Sequence, residues 1–336
     1  MTRSGRLLAV AGLAVLATGA APQGAPPPAP TAAAPLELEA KIALGEVPGR
    51  LDHVAVDVKR NKLYVAELEF DSVGIVDLAA GRVARTIHGF AAPQGIEFCP
   101  GSDTVAVGNG KNGTVDFLRG PKPARAGELQ LGADADNVHL APDGTHFWVG
   151  YGSGGLAEID CATRQVTRRI ALPAHPEGFA FVPALQRILV NLPDAKALAG
   201  VSLKKNRVFQ QPNKDAQENF PLAFDPSSSR ALSAFRKPPQ LGVFDTGSGE
   251  RVQKLDTCGD ADDVFVDAQR KRAYVICGEG AVDVFAQRNG TWKRLARTPT
   301  APGARTGRYV PELDRLYLAV RAGEGVPAAV WVLRPR

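Results

Sequence analysis

The chain has 336 residues, 44% of them hydrophobic, with 35 glycines and 26 prolines, enough apolar material for a substantial core that must turn often. Its formal charge of +5 is mild for this length, and the basic residues are dispersed among acidic ones, which argues against nucleic acid as a partner. No stretch beyond the first twenty residues is long and apolar enough to span a bilayer.

In chain order, residues 1–20 read as a secretory signal. Arg3 and Arg6 supply a basic start, residues 7–16 (LLAVAGLAVL) an apolar run, and Ala17, Gly19, Ala20 and Ala21 the small residues of a cleavage site. No cysteine follows that point, so a lipid anchor is not expected. The predicted location is periplasmic or secreted. Residues 21–35 (APQGAPPPAPTAAAP) form a Pro/Ala-rich linker that cannot bury much surface.

From residue 36 onward a single unit recurs. Its clearest copy is HVAVDVKRNKLYVA (53–66), an alternating strand, a polar turn and a second apolar run. Anchored on Asp57, the equivalents are Cys99, Ala141, Val182, Asp225, Asp267 and Val310, spaced by 42, 42, 41, 43, 42 and 43 residues. A period of about 42 in a turn-rich, β-patterned chain signals propeller blades. Residues 36–336 are therefore expected to be all-β, a seven-bladed β-propeller. The last copy stops after AAVWVLRPR (328–336), one strand short. LELEAKIAL (36–44) lies where an outermost strand would precede blade 1, and pairing it with the C-terminal blade closes the ring and removes two open edges.

KLYVAELEFDSVGIVDLAAGRVARTI (62–87) resembles the signature of the YVTN-repeat propellers, which include YncE-like proteins, and RAYVI (272–276) and RLYLA (315–319) match its second strand again. The resemblance spans nearly all of the chain after the linker and implies the fold. It implies no particular chemistry, because members are functionally diverse. NLPDAKALAG (191–200) departs from the pattern, and no Trp-Asp ending occurs.

The alternation separates two sets of positions. Residues three and one before each anchor are almost all apolar and are expected to pack between blades. Residues four and two before it are small or polar and are expected to line the channel: His53, Asn137 and Asp263 in the first tier, Glu97, His139 and Arg308 in the second. Five before the anchor come Asp52, Gln94, Asp136, Glu177, Phe220, Asp262 and Arg305, a ring of formal charge −3 in a positive protein. The predicted site is this mouth: Asp52, His53, Gln94, Asp136, Asn137, Glu177, Asp262, Asp263 and Arg305, taking a small polar ligand. His53, Glu97 and His139, from successive blades, are the expected ligands of a divalent metal. Asp52 and His53 are adjacent in an extended segment and are expected to point to opposite faces.

Cys258 and Cys277 fall on the same side of blade 6, and export permits a disulfide between them. Cys99 and Cys161 are expected at inner and outer radii as free thiols. No Cys/His spacing suits a zinc site, and no phosphate-loop, hydrolase-elbow or zinc-protease motif occurs. The function read from these features is an exported, monomeric binding or scaffold protein, its partner a small polar ligand or an envelope protein. The alternatives are a metal-dependent propeller hydrolase or lactonase, and nucleic-acid or envelope-polymer binding through loops such as Arg270-Lys271-Arg272.

Overall fold

The computed structural model describes residues 1, 2, 8, 34–323 and 325–336; the rest of the predicted signal and linker lies outside the described residues. Ala34–Arg336 forms one unit. Among the described residues no helix is long and apolar enough to cross a membrane.

Each repeat folds where its pattern says it should. In blade 1, strand A (Val54–Asp57), B (Lys62–Glu67), C (Ser72–Asp77) and D (Arg82–His88) form an antiparallel meander. The turn after each A strand needs one left-handed residue. Asn61, Asp103, Gln186, Ser229, Lys271 and Asp314 supply it with φ of 47–56°, each four residues after its anchor, and blade 3 uses Gly144 instead. The other A strands are Pro93–Cys99, Ala135–Leu140, Phe179–Val182, Gln217–Asp225, Ala261–Asp267 and Thr306–Val310. Seven four-stranded sheets result. The chain is a seven-bladed β-propeller.

In blade 7 the A strand is followed by B (Arg315–Val320) and C (Ala329–Pro335), and Leu36–Ala43 adds the outermost strand. It pairs antiparallel to Ala329–Pro335 from Leu36↔Pro335 to Ala43↔Ala329, with one bulge between Leu38 and Ala40. Both ends of the chain thus lock one blade.

The core lies between blades. Tyr64 and Ile75 of blade 1 pack against Ile96, Phe98 and Val105 of blade 2. Ile42, Val330 and Tyr317 of blade 7 pack against Val54 and Leu63 of blade 1. B and C strands are buried throughout, while D strands alternate, with one face in solvent. Burial of the apolar positions flanking each A strand leaves the opposite side chains facing the axis, which is where the site forms.

Candidate functional site

Side chains of the A strands surround two cavities along the axis, of about 450 and 510 Å3. Glu97 of blade 2 and Arg308 of blade 7 line both, and their ion pair (Oε2–Nη2, 2.9 Å) crosses the small Ala55 of blade 1 to divide the channel. Glu97 is therefore already neutralised. His139 lies in the first cavity with its ring edge-on to Phe179, centroids 4.5 Å apart. Burial, then the nearby Arg308 and His53, pull its pKa down to about 3, so it is neutral. His53 belongs to the mouth instead. Its Nε2 lies 3.6 Å from Asp52 Oδ1 and its Nδ1 3.5 Å from Asp263 Oδ2. The three residues His53, Glu97 and His139 thus have three separate environments.

The closeness of Asp52 and His53 departs from the expectation that they face apart. Strand A of blade 1 starts only at Val54, so the two-residue alternation does not govern them. Asp52 is fixed by its backbone, donating to the Ala66 carbonyl (2.8 Å) and accepting from the Thr306 hydroxyl (2.9 Å), and its carboxylate takes Arg50 at 2.8 Å. Burial alone would lower the pKa of His53. Asp263, Asp52 and Asp136 outweigh it and raise it to about 10, so the ring is an imidazolium at neutral pH.

The mouth is electrostatically lopsided. On the side of blades 5–7, Asp262 receives Arg236 Nη2 at 2.6 Å and Arg305 Nε at 2.9 Å. Both arginines also reach Asp260, at 3.1 and 3.2 Å, and Arg236 lies 3.8 Å over the Phe220 ring. On the side of blades 3 and 4, the carboxyl groups of Asp136 and Glu177 have no hydrogen bond or ion pair with any described residue. Burial, then Asp52 and Asp134, push Asp136 up to about 7, and burial, then Asp136 and Asp262, push Glu177 up to about 10. Asp262, which has its guanidinium partners, is raised by burial only to about 6.

Beside this pair stands His175. Its Nδ1 lies 2.5 Å from the Gly152 carbonyl, and its Nε2 is 3.8 Å from Asp134 Oδ2. One ligand atom each of Asp136, His175 and Glu177 lies within 4.8 Å of the others, the only such group of three or more His, Cys, Asp or Glu residues among the described residues. Gln94 donates to Asp134 at 3.2 Å, and Asn137 is buried below Asp136. Blade 2 packs closely against the backbone of Asp136. A Cβ on Gly95 would come within 1.8 Å of the Asp136 carbonyl, so only glycine fits there.

The sequence reading reached the ring five before the anchor but missed His175, Asp134, Asp260 and Arg236. The first three share one signal, since each stands seven before its anchor. Arg236 stands eleven after its anchor, where three other blades have Gly110, Gly152 and Gly278.

No family model matches the chain, and no curated protein matches it. Solved structures do. A chain of Kuenenia stuttgartiensis hydrazine synthase superposes with a TM-score of 0.73 at 15% identity, covering 82% of this chain and 93% of that one. A chain of a mitotic checkpoint complex gives 0.75 at 14% identity, over 96% of this chain and 99% of that one. The likeness is one of fold.

Two further pairs lie away from the mouth's centre. Cys258 and Cys277 are joined by a disulfide, with Cα atoms 5.8 Å apart. Cys99 and Cys161 are free and buried, and here the expected separation in radius is corrected. Both belong to one apolar cluster between blades 2 and 3. The Cys99 thiol reaches the Gly144 carbonyl, and the Cys161 backbone N–H donates to the adjacent Thr145 carbonyl. The A–B turn of blade 3 brings both cysteines to the same end of the ring.

Proposed function

We propose that this chain is an exported propeller of the YVTN-repeat type that captures a small cationic ligand at the acidic end of its channel. One observation carries the reading. Asp262 has two guanidinium partners, whereas Asp136 and Glu177 face the mouth with none. Burial without a partnering guanidinium favours the protonated form of both carboxyl groups, and a cation that displaces those protons is held by the carboxylates it restores. His53 and Arg305 confine the attraction to the blade 3–4 side, which gives the site a direction. The leader-like residues 1–20 and the repeat signature at 62–87 support export and the family resemblance.

Calorimetry of the purified chain against divalent metal ions and against putrescine tests the reading. A cation of one class should bind at one site per chain and be lost in the Asp136→Asn, Glu177→Gln double variant. Binding of neither class would overturn it.

A further inference from the structure

We infer that Asp136, His175 and Glu177 are three ligands of one divalent transition-metal ion, held with at least one coordination position open. The inference rests on the cationic-ligand reading and narrows it to a metal.

The histidine decides the class. A carbonyl oxygen only accepts, so the contact of His175 Nδ1 with Gly152 places the ring proton on Nδ1. The lone pair is then on Nε2, which at 3.8 Å is too far from Asp134 Oδ2 for a hydrogen bond and is left free to ligate. A backbone carbonyl fixing the far nitrogen of a ligating histidine is the usual outer-sphere support of a metal site. The frame is stiff. Pro176 separates the two blade-4 ligands and restricts His175 to extended backbone, and the Glu177 N–H is tied to the Asn191 carbonyl at 3.0 Å.

One imidazole with two carboxylates suits zinc, manganese, iron, cobalt or nickel better than calcium or magnesium, which prefer all-oxygen sets. Bond lengths near 2.0–2.2 Å put ligand atoms on a common ion roughly 3–3.5 Å apart. The three atoms, now within 4.8 Å of one another, would draw in by about 1–2 Å, a rotamer adjustment of the two free carboxylates. Three protein ligands leave at least one position open. An open position leaves room in the coordination shell for a water or a small anionic or neutral donor.

The test uses the full chain, stripped with EDTA and titrated with Co2+ and Zn2+. One ion should bind per chain, with Co2+ giving ligand-field absorption of a nitrogen- and oxygen-ligated centre. His175→Ala should weaken binding by roughly 100-fold or more, since even outer-sphere partners are worth about 10–100-fold. His146→Ala, a surface histidine beside Asp143, should leave it unchanged. If His175→Ala fails to fold, Glu177→Gln replaces it and should lose the ion while melting no lower than the metal-free parent. Metal binding indifferent to both substitutions, or Ca2+ bound as tightly as Zn2+, would overturn the assignment. Putrescine binding without any metal binding would also overturn it and leave the cationic-ligand reading standing. Binding of neither would remove both.

Discussion

Lys41 on the first strand lies directly across from Trp331 on the last, with its ammonium 4.0 Å above the indole centroid. The pair marks the seam where a segment from one end of the chain completes a blade begun at the other. The same strand buries Leu36 and Ile42, each worth about 1.5–3 kcal/mol, and covers the open edge of Ala329–Pro335. A chain starting at residue 45 should therefore lose its cooperative melt by circular dichroism. Moving residues 36–44 behind Arg336 through a short linker should restore it, because the Arg336 N–H already donates to the Pro35 carbonyl at 3.0 Å. A truncated chain that melts like its parent would show the seam to be dispensable.

Two of the repeat anchors do more than set the period. Asp57 holds Arg60 at 2.7 Å, and Arg60 crosses to Asp103 of the next blade with two bonds, at 2.7 and 3.0 Å. Asp267, Arg270 and Asp314 repeat the arrangement between blades 6 and 7. The fork geometry makes these better than ordinary surface pairs, though both partners are about one-third exposed. A double-mutant cycle of Arg60→Ala with Asp103→Ala should give a coupling of roughly 1 kcal/mol that shrinks in high salt. A coupling of zero would make the clamp an ornament of packing.

The fold was legible because the repeat writes it seven times. Spacing located every A strand, parity separated the blade-facing side chains of Val54 and Ile96 from the axis-facing ones of His139 and Glu97, and the missing last strand pointed to residues 36–44. The site was legible only as a ring. Which carboxylate is satisfied depends on arginines that a linear pattern does not tie to it. Arg236 reaches Asp262 from the B strand of the neighbouring blade, and Arg308 meets Glu97 at a sequence separation of 211. The period fixes where a side chain starts. It does not say across which blades a long flexible side chain reaches, and that decides whether Glu97 is a ligand or half of an ion pair.

The disulfide makes a prediction about stability rather than about the site. Cys258 and Cys277 are both fully buried in the cluster that contains Phe285 and Trp292, and the bond closes a loop of 19 residues. Constraining a loop of that size contributes about 3 kcal/mol. Thiol titration of the denatured, unreduced chain should find two groups, Cys99 and Cys161, and Cys277→Ser should lower the melting temperature by several degrees. An unchanged melting temperature after reduction would show that the two buried sulfurs pack equally well unjoined.

The imidazolium of His53 should make stability fall as pH rises. Asp52, Asp263 and Asp136 attract its charge, while Arg308, Asp262 and the uncharged His139 and Glu177 complete its titratable surroundings. Its folded pKa of about 10 stands above the unfolded 6.5, so the native chain holds a proton that the unfolded chain releases between those values. The contribution, on the order of a few kcal/mol, is complete below pH 6.5 and is lost as pH climbs through about 10. Asp136 and Asp262, raised by burial, tilt the curve the same way between about pH 4 and 7, and Glu177 does so from about 4.5 to about 10. Comparison with His53→Gln isolates the histidine. In urea unfolding at pH 6, 8 and 10 in EDTA, the parent should lose stability steeply from pH 6 to 10, while the variant starts lower and falls less steeply, with the slope that Glu177 leaves. Parallel profiles would mean that His53 is neutral in the folded chain.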